Sequence, residues 1–268
     1  MTQSRRVEGW HCLRPLRLGE QPVIIFPGLG QQPSYFEALF HGVSCTLYLA
    51  DYKVFLVQTI SKKEALALLY EDFVKLSDSE DKSLHIVTCS FGTRVWLHLV
   101  GAYPSLTYHQ PVLCIAPDGF YTHPVFVLLT RSPIYPLVQK LSDCALIRKT
   151  LPFLMKYWGF NPLDINKLLE DWQHGQILRL WHMFSDPLDL DSELQKQKVW
   201  CLAGERDAIF PLKYFKKLEK KYLNHFQLLV MPQATHILSP FSIRSVVRRW
   251  LSGEHHLYEN ENVKPQPG

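Results

Sequence analysis

The chain has 268 residues, 47% of them hydrophobic, and a formal charge of +4 from 29 basic and 25 acidic side chains. That length holds one large α/β domain or two small ones, with a sizeable core. The charge excess is small and dispersed, which argues against nucleic acid, and no run of about 18 apolar residues is available to span a membrane. Residues 1–18 carry Arg5 and Arg6 but no apolar stretch of signal-peptide length. Pro22-Val23-Ile24-Ile25-Phe26 is a continuous apolar run, the pattern of a strand buried on both faces. It ends in the turn cluster Pro27-Gly28-Leu29-Gly30. A short helix is expected over 34–40, a strand over 44–50 and a helix over 62–76, where Leu66, Leu68, Leu69, Phe73 and Leu76 are apolar at helical spacing.

Leu84-His85-Ile86-Val87 reads as the next strand, and Thr93 to Val100 as a helix. Between them stands Thr88-Cys89-Ser90-Phe91-Gly92. Strand, sharp serine-bearing turn and helix make the layout of a nucleophile elbow, in which the residues two before and two after the serine must be small. Gly92 meets that demand; Thr88 stands where glycine is usual and, being β-branched, crowds the turn. A serine before a helix is also an ordinary N-cap, so Ser90 alone does not establish chemistry.

A strand over 111–116 follows, ending at Pro117-Asp118-Gly119. From 120 to 190 there is no strand signal, only aromatic-rich helical stretches divided by prolines. The strand–helix rhythm resumes with strands over 198–202 and 225–231 and helices over 211–222 and 239–251. Residues 254–268 are polar and Pro-containing, a tail expected to be flexible. The expected organisation is a core over 1–119, a helical lid over 120–190, the second part of the core over 191–253, and the tail. Alternating strands and helices predict an α/β fold with a mostly parallel sheet flanked by helices, and ligands of such folds bind outside the strands' carboxyl ends. The six cysteines show no CxxC pair or metal spacing. Buried free thiols in a reducing cytoplasm are the expected reading, with Cys89 packed rather than reactive. The lysine run 216–221 sits on a predicted helix with Glu219 inside it, so it reads as a solvated face.

A serine hydroxyl needs an adjacent base, and the base a carboxylate to hold its tautomer. Asp207 follows the strand ending in Leu202, and His236 follows the last strand, so the order serine, acid, histidine is met. With the Phe26-Pro27-Gly28-Leu29-Gly30 loop, the Ser90 elbow, Gly204-Glu205-Arg206-Asp207 and Ala234-Thr235-His236 in sequence, the chain resembles the α/β-hydrolase superfamily, of the capped serine-esterase type, over 22–251. The resemblance implies an eight-stranded sheet, here with a trimmed N-terminal edge because little chain precedes Val23. It implies a lid over the strands' carboxyl ends and an oxyanion hole from the backbone N–H groups of Leu29 and Phe91. The family commonly has His-Gly where this chain has Pro27-Gly28, so the loop's support is expected to differ. Some relatives place the acid at the position of Asp118, which is the rival to Asp207.

The implied activity is hydrolysis of a carboxylic ester or thioester through Ser90, His236 and Asp207, by way of an acyl-enzyme. Aromatic and aliphatic residues of the lid, among them Phe126, Leu128, Phe153 and Trp158, favour a hydrophobic acyl group. Arg131, Lys140, Arg148, Lys149 and Lys156 suit an acidic carrier such as acyl carrier protein, as for a biotin-pathway esterase of pimeloyl-carrier methyl esters. Other readings are acyl transfer to an acceptor other than water and a non-catalytic binding protein of the same fold. No metal or organic cofactor is implied.

Overall fold

Strands form where apolar residues run without alternation, because both faces of a parallel sheet are covered. The structure is a computed structural model. It describes residues 10–14, 21–52, 60–80, 84–106, 111–121 and 176–253, with isolated positions 55, 136, 149, 150, 153 and 156. Most of the expected lid, with Arg131, Lys140 and Arg148, and the tail 254–268 lie outside the described residues.

The strands are β1 (Trp10–Arg14), β2 (Gln21–Phe26), β3 (Cys45–Ala50), β4 (His85–Cys89), β5 (Val112–Ile115), β6 (Val199–Gly204) and β7 (Phe226–Met231). They form a seven-stranded sheet in the order β1-β3-β2-β4-β5-β6-β7, in which β1 is antiparallel to β3 and the other pairs are parallel. β4, β5 and β6 are buried along their whole length, as their sequences require. β1 is the antiparallel edge before Val23; its short sequence, Trp-His-Cys-Leu-Arg, carries no strand-length apolar run.

Alternate side chains leave the sheet on opposite faces and build two cores. Ile24, Phe26 and Ile86 point to one, with Trp96 and Phe73. Val23, Ile25 and Val87 point to the other, with Phe36, Val247 and Trp250. The first core is covered by α2 (Lys62–Glu80) and α3 (Phe91–Ala102), the second by α1 (Pro33–Leu39) and α7 (Pro240–Leu251). Between them in sequence lie α4 (Gln176–Met183), α5 (Leu190–Lys196) and α6 (Leu212–Lys221). Pro33 and Pro240 occupy first-turn positions, where a missing N–H costs nothing. Every residue of α3 from Phe91 to Val100 is buried, so this helix runs through the core rather than over it. The buried indoles are satisfied: Trp96 Nε1–H donates to Gln197 Oε1 at 3.2 Å and Trp250 Nε1–H to the Pro111 carbonyl at 3.0 Å.

α3 also buries His98, whose Nε2–H donates to the Phe184 carbonyl at 3.1 Å. Burial, aided by the charges of Lys62 and Arg94, lowers its pKa from 6.5 to about 4. The unfolded chain therefore takes up a proton near pH 6.5 that the folded ring refuses until about pH 4, so stability falls as pH drops through that window. The loss approaches roughly 3 kcal/mol by the lower end. Urea unfolding at pH 7 and pH 4.5 should show His98→Gln losing about 2 kcal/mol less than wild type over that range. Equal losses would count against this origin of the acid sensitivity.

β2 is an interior strand, with β3 on one side and β4 on the other. The connection after β2 leads outward to β3 and the chain then returns to β4, so the carboxyl ends of β2 and β4 flank the switch point where such sheets bind ligands.

Candidate active site

Ser90 stands immediately after β4 with φ 45° and ψ −120°. A non-glycine residue held at positive φ costs on the order of 1–3 kcal/mol, and the surroundings must impose it. They do so from three directions. The Ser90 N–H donates to the Ile115 carbonyl at 3.0 Å, and the Ser90 carbonyl accepts from the N–H groups of Thr93 and Asp118, each at 3.0 Å. Gly92 allows the turn to nest against the loop after β2. A Cβ there would lie 2.0 Å from the Phe26 carbonyl oxygen and 2.7 Å from that of Pro27. On the opposite side, a Cβ on Gly28 would lie 3.1 Å from the Ser90 Cβ.

Thr88, the residue at odds with the usual elbow, is fully buried. Its Oγ1 is 2.8 Å from Oγ1 of Thr93, across the turn on α3. A buried hydroxyl without a partner costs about 1–3 kcal/mol. Thr93 supplies that partner, and the elbow keeps its shape with threonine at the crowded position.

His236 follows β7 and Asp207 follows β6, each in the loop at a carboxyl end. His236 Nε2 lies 3.0 Å from Ser90 Oγ, and His236 Nδ1 lies 2.9 Å from Asp207 Oδ2. The second Asp207 oxygen accepts the N–H groups of Ile209 at 2.8 Å and Phe210 at 2.9 Å. Those two donors fix the plane of the carboxylate. With a carboxylate oxygen facing Nδ1, the proton of a neutral His236 ring sits on that nitrogen, which leaves Nε2 as acceptor for the Ser90 hydroxyl. The Phe210 ring packs on the imidazole with centroids 5.2 Å apart.

The acid and histidine loops meet through backbone. A Cβ on Gly204 would lie 2.2 Å from the Thr235 carbonyl oxygen, so only glycine admits the approach. Arg206 N–H donates to the Ala234 carbonyl at 2.8 Å, and Glu205 Oε2 accepts the N–H of Gln233, itself at φ 60°.

Asp118, the rival acid, is engaged elsewhere. Its carboxylate takes two hydrogen bonds from Arg94, Nε at 3.0 Å and Nη2 at 2.8 Å, and both side chains are buried. Removing one partner of such a pair leaves a bare buried charge, a loss of about 3–5 kcal/mol. Arg94 Nη1 also donates to the Phe184 carbonyl at 3.3 Å. Asp118 thus braces α3 against the segment returning to the core.

Leu29 lines the cleft together with Gly28, Gln31, Tyr35, Ser90 and His236. Among the described residues, neither the Leu29 nor the Phe91 backbone N–H meets an acceptor. The Phe91 N–H opens α3, where helix-end donors are unpaired and the dipole favours negative charge. Two free donors beside a serine paired to a histidine can stabilise an oxyanion at an attacked carbonyl. The thiols offer no competing nucleophile here: burial pushes Cys89 and Cys201 well above the ordinary thiol range and Cys114 up to about 12. Cys12 is exposed, and Cys144 lies outside the described residues. Among the described residues no group of three His, Cys, Asp or Glu side chains could hold a metal ion, and no helix is long and apolar enough to cross a membrane.

The contributions of Gln31, Thr93, Arg94 and Gly204 carry no signal in the sequence. Each acts on a residue brought near by the fold, and of the four only Gly204 lies within a motif itself.

No protein-family model matches the chain, and no curated protein sequence matches it. Solved structures resemble it. MenH from S. aureus shares 12% identity at a TM-score of 0.66, over 93% of this chain and 100% of that one. A thermophilic esterase from Thermogutta terrifontis shares 14% at a TM-score of 0.62, over 88% and 90%. An alpha/beta hydrolase enzyme from a Medee basin deep-sea metagenome library shares 15% at a TM-score of 0.59, over 96% of both chains. Identities this low speak to architecture alone. With the sheet order and the elbow between β4 and α3, they lead to one conclusion: the chain has the α/β-hydrolase fold.

Proposed function

We propose that the protein is a serine hydrolase that cleaves a carboxylic ester or thioester with a hydrophobic acyl group. The observation that carries this reading is the continuous hydrogen-bonded line from Ser90 Oγ through His236 to Asp207, at 3.0 and 2.9 Å. Ser90 Oγ bonds to the acyl carbon as its proton passes to His236 Nε2. The carbonyl oxygen becomes an oxyanion facing the N–H groups of Leu29 and Phe91, and the imidazolium is stabilised by Asp207. Collapse breaks the bond to the alcohol or thiol, which leaves with the proton from His236. Water, deprotonated by the same imidazole, then releases the acid and restores Ser90.

The apolar character of the substrate rests on the cleft walls, to which Leu29, Ile115, Ala116, Ile237 and Leu238 contribute. The esterase from Thermogutta terrifontis, of like fold, is consistent with ester chemistry on this scaffold.

The test is turnover of short-chain p-nitrophenyl esters. Wild type is expected to hydrolyse them, and Ser90→Ala to lose at least a thousandfold in kcat. Equal turnover by the folded Ser90→Ala protein would refute the reading.

A further inference from the structure

The donor at Leu29 is only as good as its aim, and the loop that carries it lacks an obvious anchor. Pro27 has no N–H, and Gly28 and Gly30 have no side chains. Residues 28–31 close a turn in which the Gln31 N–H donates to the Gly28 carbonyl at 3.2 Å, with Gly30 in the third position at φ 74°. The peptide linking Gly28 to Leu29 is planar and trans, so its C=O and N–H point in opposite directions. Tying the Gly28 carbonyl to Gln31 therefore sends the Leu29 N–H the other way, unpaired.

The Gln31 side chain completes the arrangement. Its Oε1 accepts the Gly28 N–H at 2.6 Å. Gly28 in turn lies against the elbow, where a Cβ on it would stand 3.1 Å from the Ser90 Cβ. One carboxamide thus holds the part of the loop after β2 that packs on the residue following β4. Gln32 cannot substitute, because its side chain reaches back to Gly30 within its own turn.

We propose that Gln31 is a positioning residue that holds the Leu29 N–H in register with Ser90, through its bond to the Gly28 N–H where Gly28 packs on the elbow. This role rests on the hydrolase reading of Ser90. The turn's backbone bond does not involve the side chain, so substitutions at Gln31 leave the loop closed but loosely aimed. A donor displaced by a fraction of an ångström matters only once negative charge has developed on the oxygen, so the loss falls on kcat.

Gln31→Met keeps the volume and removes the hydrogen bond to Gly28. Relative to wild type, kcat on p-nitrophenyl esters should fall about ten- to a hundredfold, with KM within about twofold and the thermal midpoint nearly unchanged. Gln31→Glu adds a readout that packing alone would not move. Its protonated carboxyl keeps a carbonyl acceptor for Gly28 without added charge, whereas its ionised form places a negative charge beside the oxyanion. Its deficit against wild type should therefore shrink as pH is lowered. An active wild type beside a fully active Gln31→Met, or a loss confined to KM, overturns this role alone. A wild type that neither turns over ester nor takes a serine-directed label overturns the reading of Ser90, and this role with it.

Discussion

Asp207→Asn lowers kcat by about four orders of magnitude while leaving the protein folded. The expectation follows from how the carboxylate is held. One oxygen accepts the N–H groups of Ile209 and Phe210, and an asparagine oxygen can accept both in the same place. The amide nitrogen is then left facing His236 Nδ1, where Asp207 Oδ2 stands at 2.9 Å in wild type. Two donors cannot face each other, so the imidazole must move its proton to Nε2. That nitrogen then presents a proton, not a lone pair, to Ser90 Oγ, and the base is lost without loss of the fold. Burial on both sides of the contact prevents water from relieving the mismatch. Steady-state kinetics with a matched unfolding curve check this. A fall of less than tenfold would mean that Asp207 is not the group that sets the histidine tautomer.

Gly92→Ala costs the protein about 3 kcal/mol or more and removes activity together with stability. Overpacking against a flexible side chain is cheap, because the neighbour rotates away. Here the obstacles are the Phe26 carbonyl oxygen at 2.0 Å, the Phe26 carbonyl carbon at 2.5 Å and the Pro27 carbonyl oxygen at 2.7 Å, all backbone. Phe26 is paired with Thr88 of β4 and fully buried, so relief must come from the loop leading to Leu29 or from the elbow itself. Either movement separates the Leu29 donor from Ser90. Denaturant unfolding and ester turnover on the same preparation test both parts. A variant of wild-type stability and kcat would show that the elbow and the loop are not packed as described.

Much of the fold is legible in the sequence because the parallel strands are buried on both faces. Continuous runs such as Pro22 to Phe26 have no other economical use, and each ends at a turn cluster that marks a carboxyl end. The same logic places Ser90, Asp207 and His236 at one edge of the sheet, and the structure brings their side chains into hydrogen-bond reach. β1 is hidden because an edge strand is defined by its partner: Trp10 to Arg14 has register only against β3. The helix α5 is short and polar, set by the Asp189 side chain accepting the Ser192 N–H rather than by periodicity. Asp118 and Asp207 are equivalent by position after a strand. What separates them is Arg94, whose commitment to Asp118 is a tertiary fact. Thr88 is the same kind of case, since its fit depends on the Thr93 hydroxyl across the turn.

The nucleophilic character of Ser90 is the claim on which the rest depends. A fluorophosphonate probe, incubated with the folded full-length chain and mapped by peptide mass spectrometry, reads it directly. The expected result is stoichiometric modification of Ser90, abolished in Ser90→Ala and strongly slowed in His236→Ala. Absence of label on Ser90 in a folded, intact protein, or label on another residue with Ser90 untouched, would contradict the account.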